Sequence, residues 1–199
     1  MTSSPYEGLP PSEWERVTRQ LVKKHPLSPR EIVEVVLGCW ESLFASSLGT
    51  RGFRIGLDIF PKPQIMGFLL HELVPLELQS RHPKTWRTDV SSGEKDLVHI
   101  QNPGLSIELK TSSNPRHIFG NRSYAQEGSS RKKVKSGYYL AVNFEKFSGS
   151  TQRPRVLRIR FGWLDSTDWI GQRAATGQQC RLPPEVEERK LLTIYPPLP

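Results

Sequence analysis

Near residue 95 the hydrophobic residues of this 199-residue chain change their spacing, and that change restricts the possible folds more than any other feature. Up to that point apolar side chains recur every three or four positions. Ile32, Val33, Val36, Leu37, Trp40, Leu43 and Phe44 form one stripe of a core helix. Ser28 can cap it and Pro29 can open it, because the first helical residue needs no amide hydrogen. An earlier helix is expected over Glu13–Lys24, capped by Ser12, with Trp14, Val17 and Leu21 on one face and Pro26 as its stop. A third, Gln64–Leu73, follows Pro61 and Pro63 and is expected to end before Pro75.

Beyond residue 95, runs rich in Ile, Leu, Val and Tyr lie between Gly, Pro, Asn and Ser. These are expected as strands at Asp96–Ile100, Leu105–Thr111, Tyr138–Phe144 and Pro154–Phe161. Helices followed by strands give a mixed β-sheet flanked by helices, of the α/β or α+β class, with a helical N-terminal third. The length suits one core, hence a single domain over residues 1–199. Residues 1–11 read as an extended arm and 182–199 as a Pro-rich tail over the surface. A helix plus a loop fits the polar, basic stretch 114–136, and a further helix fits 165–177.

Charge narrows the partner. Twenty-eight Lys and Arg against 20 Asp and Glu leave a formal charge of +8, which favours a polyanion, nucleic acid before an anionic membrane. The longest apolar stretch, Ile65–Leu70, is too short to span a bilayer, and no basic-then-apolar leader is present, so a cytoplasmic location is expected. Cys39 and Cys180 stand alone, outside any zinc or disulfide spacing.

The chemistry concentrates in Lys95-Asp96-Leu97-Val98-His99-Ile100, the turn Gln101-Asn102-Pro103-Gly104, and Leu105-Ser106-Ile107-Glu108-Leu109-Lys110. Alternation along the second strand puts Glu108 and Lys110 on one face and Ile107 and Leu109 on the other. Asp96 joins them only in a register that sets even-numbered residues together, Asp96 opposite Glu108 for instance. A four-residue turn gives the wrong parity, so a three- or five-residue connection, or a bulge, is expected. Two carboxylates so close need a cation between them, and hard oxygen ligands suit Mg²⁺. With Lys110 to hold or polarise an attacking water, the set suffices for phosphodiester hydrolysis. A surface hairpin carrying a Glu–Lys pair accounts for the spacing equally well. Asp89 is the competing acid, but Ser91-Ser92-Gly93 reads as loop.

Asp96 with Glu108-Leu109-Lys110 resembles the PD-(D/E)xK nuclease superfamily, with Lys95 where the superfamily's proline would stand. The stretches 58–67, 110–113, 119–126 and 175–178 resemble the ScaI-type restriction endonucleases. The resemblance implies a restriction-endonuclease-like fold and a type II enzyme. It implies a homodimer cutting double-stranded DNA at a short, palindromic site, with a cognate DNA methyltransferase in the same system. Asp96 and Glu108 would bind Mg²⁺, and cleavage would leave a 5′-phosphate. Glu72 becomes a further metal-ligand candidate, with a solvated helix glutamate as the plainer reading. His71-Glu72 does not open a zincin motif, because Pro75 occupies the second histidine's place.

Arg116, His117, Asn121, Arg122, Ser123, Tyr124 and Gln126 mix phosphate binders with side chains able to read bases, and are the candidate DNA contacts. Arg131, Lys132 and Lys133 suit phosphates. Arg158 and Arg160 share a strand face that is either a DNA-facing edge or a plain charged surface, and Trp163 and Trp169 suit core or dimer contacts. Two alternatives remain: a repair, resolvase or transposition nuclease of the same fold, and a DNA-binding protein without catalysis.

Overall fold

The computed structural model describes residues 4–121, 135–171 and 179–196. In chain order these form α1 (Pro11–Lys24), α2 (Pro29–Ala45), β1 (Ser47–Leu48), β2 (Phe53–Arg54), α3 (Pro63–Arg81), β3 (Trp86–Thr88), β4 (Leu97–His99) and β5 (Ile107–Ser112). There follow β6 (Phe119–Asn121), β7 (Gly137–Phe144), β8 (Val156–Leu164), β9 (Ile170–Gly171), β10 (Gln179–Arg181), α4 (Pro184–Arg189) and β11 (Leu191–Tyr195). The central sheet runs β11-β8-β7-β5-β4-β3, with β5 and β7 parallel and the other pairs antiparallel. A mixed sheet behind an N-terminal helical layer is the α+β arrangement that the change of period requires.

The helix starts separate two kinds of signal. In α2 the Ser28 hydroxyl accepts from the Glu31 amide, with Pro29 at the first turn. In α1 the cap position is Pro10 and Pro11 opens the helix, so Ser12 lies inside it and caps nothing. A proline already fixed near helical φ starts the helix ahead of the serine. The segment before α1 is fastened rather than extended. Ser4 donates to Asp165, and the buried Tyr6 hydroxyl shares a 2.8 Å hydrogen bond with Thr18.

Helix α3 runs through Pro75 to Arg81. Met66, Leu70, Val74 and Leu78 are all buried, a stripe repeating every four residues that continues past the proline. Burial of that stripe offsets the one backbone hydrogen bond the proline removes. Gly67 lets α3 approach the sheet, since a Cβ there would lie 2.6 Å from the Thr111 hydroxyl oxygen.

The C-terminal tail does not simply wrap the surface. It supplies α4 and then β11, an edge strand of the central sheet, where prolines beside a strand are tolerated. No long helix occupies the described part of 165–177, which holds a 3₁₀ turn, Ser166–Asp168, and β9. Strand β9 joins β10 and β6 in a small second sheet. Trp169 is buried beneath it and Trp163 packs edge-on to Tyr138. No helix among the described residues is long and apolar enough to cross a membrane.

Candidate active site

Strands β4 and β5 pair with Leu97 opposite Ile107, a register that, continued by one residue, sets Asp96 opposite Glu108. The connection is residues 100–106, odd in number and longer than a tight turn. It contains a 3₁₀ turn, Pro103–Leu105, started by Asn102, whose side-chain oxygen accepts from the Gly104 amide. The Ser106 hydroxyl accepts from the His99 amide at 3.1 Å and closes the pair.

Strand β5 divides its side chains between two environments. Ile107 and Leu109 enter the core beneath the helices, whereas Glu108 and Lys110 pair with Tyr139 and Ala141 of β7, both in a second core on the opposite face. Glu108 is 1 % exposed, and one of its carboxylate oxygens lies 2.7 Å from the Lys110 ammonium. Asp96 accepts from the Leu109 amide at 2.6 Å, between the two residues of that pair, and lies 3.7 Å from His71 Nδ1. Lys95 is buried on the same side as Glu108, 4.9 Å from the centroid of the Tyr139 ring. Gly137, at φ +140°, makes room for it, because a Cβ there would meet the lysine stem at 2.8 Å.

Asp96 also belongs to a cleft of about 500 Å³ against α3, whose walls include Gln64, His71, Glu72, Thr88 and Asp89. Glu108 and Lys110 are outside that lining, so Asp96 joins their pair to the open cleft. Glu72 is exposed on the helix wall. Asp89 does sit in a loop, yet it lines the cleft beside Asp96. Its short strand, Trp86–Thr88, gives too little alternation to mark that position in the sequence. His71 is one turn beyond Gly67, and only the close packing of α3 on β5 brings it to Asp96. The loop entering the site is held by Glu94, which accepts from the Val90 amide and pairs with Arg87. The Arg87 guanidinium, with help from that amide, lowers the Glu94 carboxyl to about 2.

Among the described residues there is no group of three or more Asp, Glu, His or Cys set for a metal ion. The donor chemistry fits a hard divalent cation all the same. Asp96 and Glu108 offer carboxylate oxygens from facing register positions, and a magnesium-like ion fills its other places with water and substrate.

Of the candidate DNA contacts, Arg116 and His117 lie on the loop after β5, which is tightly built. Asn114 accepts both their amides at 2.9 Å, and Asn143 donates to the Asn114 and His117 carbonyls. Glu187 of α4 accepts from the Ile118 amide and lies 2.6 Å from His117 Nδ1. Arg160 faces no solvent. It is 3 % exposed, 3.4 Å from Glu187, and donates to Asn143 and to the Arg116 carbonyl. For Arg160 the DNA-facing edge and the plain charged surface both give way to a buried ion pair that braces this loop, whereas Arg158 is half-buried. Asn121 is exposed at the end of β6. Arg122, Ser123, Tyr124, Gln126, Arg131, Lys132 and Lys133 lie outside the described residues.

A mixed sheet with an acid just before one strand and a Glu-x-Lys pair on its neighbour defines a restriction-endonuclease-like protein. The chain belongs to the ScaI restriction endonuclease family, whose model matches residues 4–195. It is similar to the type II restriction enzyme ScaI of Streptomyces caespitosus, being 52 % identical over 196 residues, which cover 98 % of this chain and 86 % of that protein. No solved structure matches the chain. Family membership carries with it a DNA substrate and a divalent metal cofactor.

Proposed function

We propose that this chain hydrolyses phosphodiester bonds of double-stranded DNA at a short palindromic site, as a type II restriction endonuclease whose chemistry is carried by Asp96, Glu108 and Lys110. The observation that carries the reading is local. A Glu108–Lys110 pair at 2.7 Å, its carboxylate buried and its ammonium half-buried, brackets the very amide that holds Asp96. Three charged groups are thereby fixed in place before any substrate arrives, and preorganised charge is what a highly anionic transition state needs.

Asp96 and Glu108 are the proposed Mg²⁺ ligands, and Glu72, on the cleft wall, is the candidate for a further carboxylate contact. When bound, the ion makes coordinated water more acidic and neutralises charge on the phosphate. Lys110 orients the attacking water with its ammonium hydrogens and offsets charge on the equatorial oxygens. The Leu109 amide anchors the Asp96 carboxylate where β5 meets the cleft. The leaving group is the 3′ oxygen, so the product carries a 5′-phosphate. Arg116, His117 and Asn121 are proposed to contact DNA, together with Arg122, Ser123, Tyr124, Gln126, Arg131, Lys132 and Lys133 in the segment that follows. Two copies acting on a palindrome cut both strands, and a methyltransferase of the same specificity protects the host DNA.

Digestion of plasmid DNA with and without Mg²⁺ tests the reading. Discrete fragments are expected only with the metal, and Glu108→Gln and Lys110→Ala should each slow cutting by about 10²–10³-fold while DNA binding persists. Parental rates in either variant would remove these residues from the chemistry, and structure-dependent nicking would replace restriction with repair.

A further inference from the structure

A second groove, of about 340 Å³, adjoins the acidic cleft and shares Gln64 and Thr111 with it. Among the described residues its lining carries carboxamides and hydroxyls, with Phe119 and Phe144 beside them, and no charged side chain. One wall is the first turn of α3, with Gln64; the other is the small sheet, with Asn121 and Gln179. In the antiparallel pair of β6 and β10, Asn121 stands directly opposite Gln179. Their side chains therefore leave the same face as close neighbours. The next pair, Gly120 and Cys180, belongs to the other face, where Cys180 is fully buried in the second core.

The amides of the groove are not equivalent. Asn114 is spent on the Arg116 and His117 backbone, and the Ser112 hydroxyl accepts from the Asn114 amide. The side chains of Gln64, Asn121 and Gln179 are exposed, and among the described residues they form no hydrogen bond. The backbone beneath them is fixed, since Cys180 donates to the Asn121 carbonyl at 3.1 Å and the strands are paired. A phosphate subsite would need lysine or arginine, and among the described residues this groove has neither. A carboxamide instead offers one donor and one acceptor side by side, the complement of the adenine N6 amine and N7 in the major groove. The groove begins at Thr111, the residue after Lys110. Base pairs stacked about 3.4 Å apart thus bring the neighbours of a phosphate held at the catalytic trio within its reach.

We propose that this groove is a base-reading subsite in which Asn121 and Gln179, with Gln64 facing them from α3, recognise A·T pairs adjoining the scissile phosphate. The proposal rests on the reading of the chain as a site-specific nuclease.

The test begins by mapping the wild-type cut on plasmid DNA. The kcat/KM is then measured on a duplex carrying that site and on duplexes with every single base-pair substitution in and beside it. Asn121→Ala and Gln179→Ala are expected to lose about 5- to 150-fold on the mapped duplex. The loss should vanish on duplexes already substituted at one A·T pair, so that discrimination collapses at that position alone. Gln179→Glu keeps the shape and turns the donor into an acceptor, and should move the preference at its position towards cytosine, whose N4 amine donates. An equal loss on every duplex, unchanged discrimination, or a collapse confined to G·C positions overturns the subsite. A wild type that cuts no discrete site overturns both this proposal and the reading on which it rests.

Discussion

On the helix side of the central sheet Ile107, Leu109, Tyr138, Leu140 and Phe161 meet Ile32, Val36, Trp40 and Leu70 in a core that is almost wholly hydrocarbon. On the other side Tyr139, Ala141 and Leu164 share the interior with Glu108, Asn143, Arg160 and Glu187. One strand, β5, feeds both, because successive side chains of a strand point to opposite faces. The hydrocarbon face supplies stability through buried apolar area. The charged face is expensive, since each buried ion must be paired and hydrogen-bonded to remain charged. That cost is offset by pairing: Glu108 with Lys110, and Arg160 with Glu187 and Asn143. Even the exception on the helix side obeys the rule. His25 is buried there as a neutral ring, donating from Nε2 to the Leu105 carbonyl and accepting at Nδ1 from the Leu27 amide. Burial lowers its pKa below the ordinary 6.5, so no ion is left in the hydrocarbon.

The contrast can be broken at four points. The largest effect is expected from Glu187→Ala, which strips Arg160, His117 and the Ile118 amide of one acceptor. Urea unfolding should show a loss of about 3–5 kcal/mol, as for other buried pairs robbed of one partner. A loss under about 1 kcal/mol would mean that water replaces the carboxylate and that this face is wetter than the hydrogen bonds suggest.

The double replacement Arg160→Met, Glu187→Leu removes both ions together and should recover most of that loss, leaving a net change within about 2 kcal/mol. If the two single losses simply add, the charges are not acting as a pair. On the helix side Ile107→Val deletes one buried methylene and should cost about 0.5–1.5 kcal/mol, with no second change able to restore it except one that refills the volume.

The smallest effect is a slope with pH. His25 has a folded pKa below its unfolded one, so the unfolded chain binds the extra proton and stability falls as the pH drops below about 6.5. Urea midpoints between pH 7 and pH 5 should fall, and His25→Gln should flatten the slope. Glu94 works on a lower window. Its carboxyl, ordinarily near 4.5, is held at about 2, so what it contributes to the loop before Asp96 is complete above 4.5 and lost as the pH falls towards 2. Faster exchange of the Val90 amide over that interval would report the release.

Much of this could be read one segment at a time. Helix α2 declares itself through Ser28, Pro29 and a seven-residue apolar stripe, and β7 through an unbroken run that the structure buries along its whole length. Glu108 and Lys110 share a face by alternation alone, whatever surrounds them. Harder to read were the pieces whose meaning depends on a distant partner. Leu191–Tyr195 is a strand only because β8 offers it an edge, and Pro75 continues a helix only because Val74 and Leu78 have a core to enter. The expected stop at Pro75 follows from intrinsic propensity, and tertiary burial overrode it.

By itself, then, the sequence determined the first two helices, the strands β4, β5, β7 and β8, the two faces of β5 and the parity that Asp96 must satisfy, because all of these follow from periods of two or 3.6 residues within one segment. Tertiary structure alone decided that Arg160 would be buried against Glu187 and not turned to solvent. It decided that His71 and Asp89 would share a cleft with Asp96, and that Asn121 would stand opposite Gln179. Those pairings join residues up to about sixty positions apart, and no local period specifies which distant surface a side chain will meet.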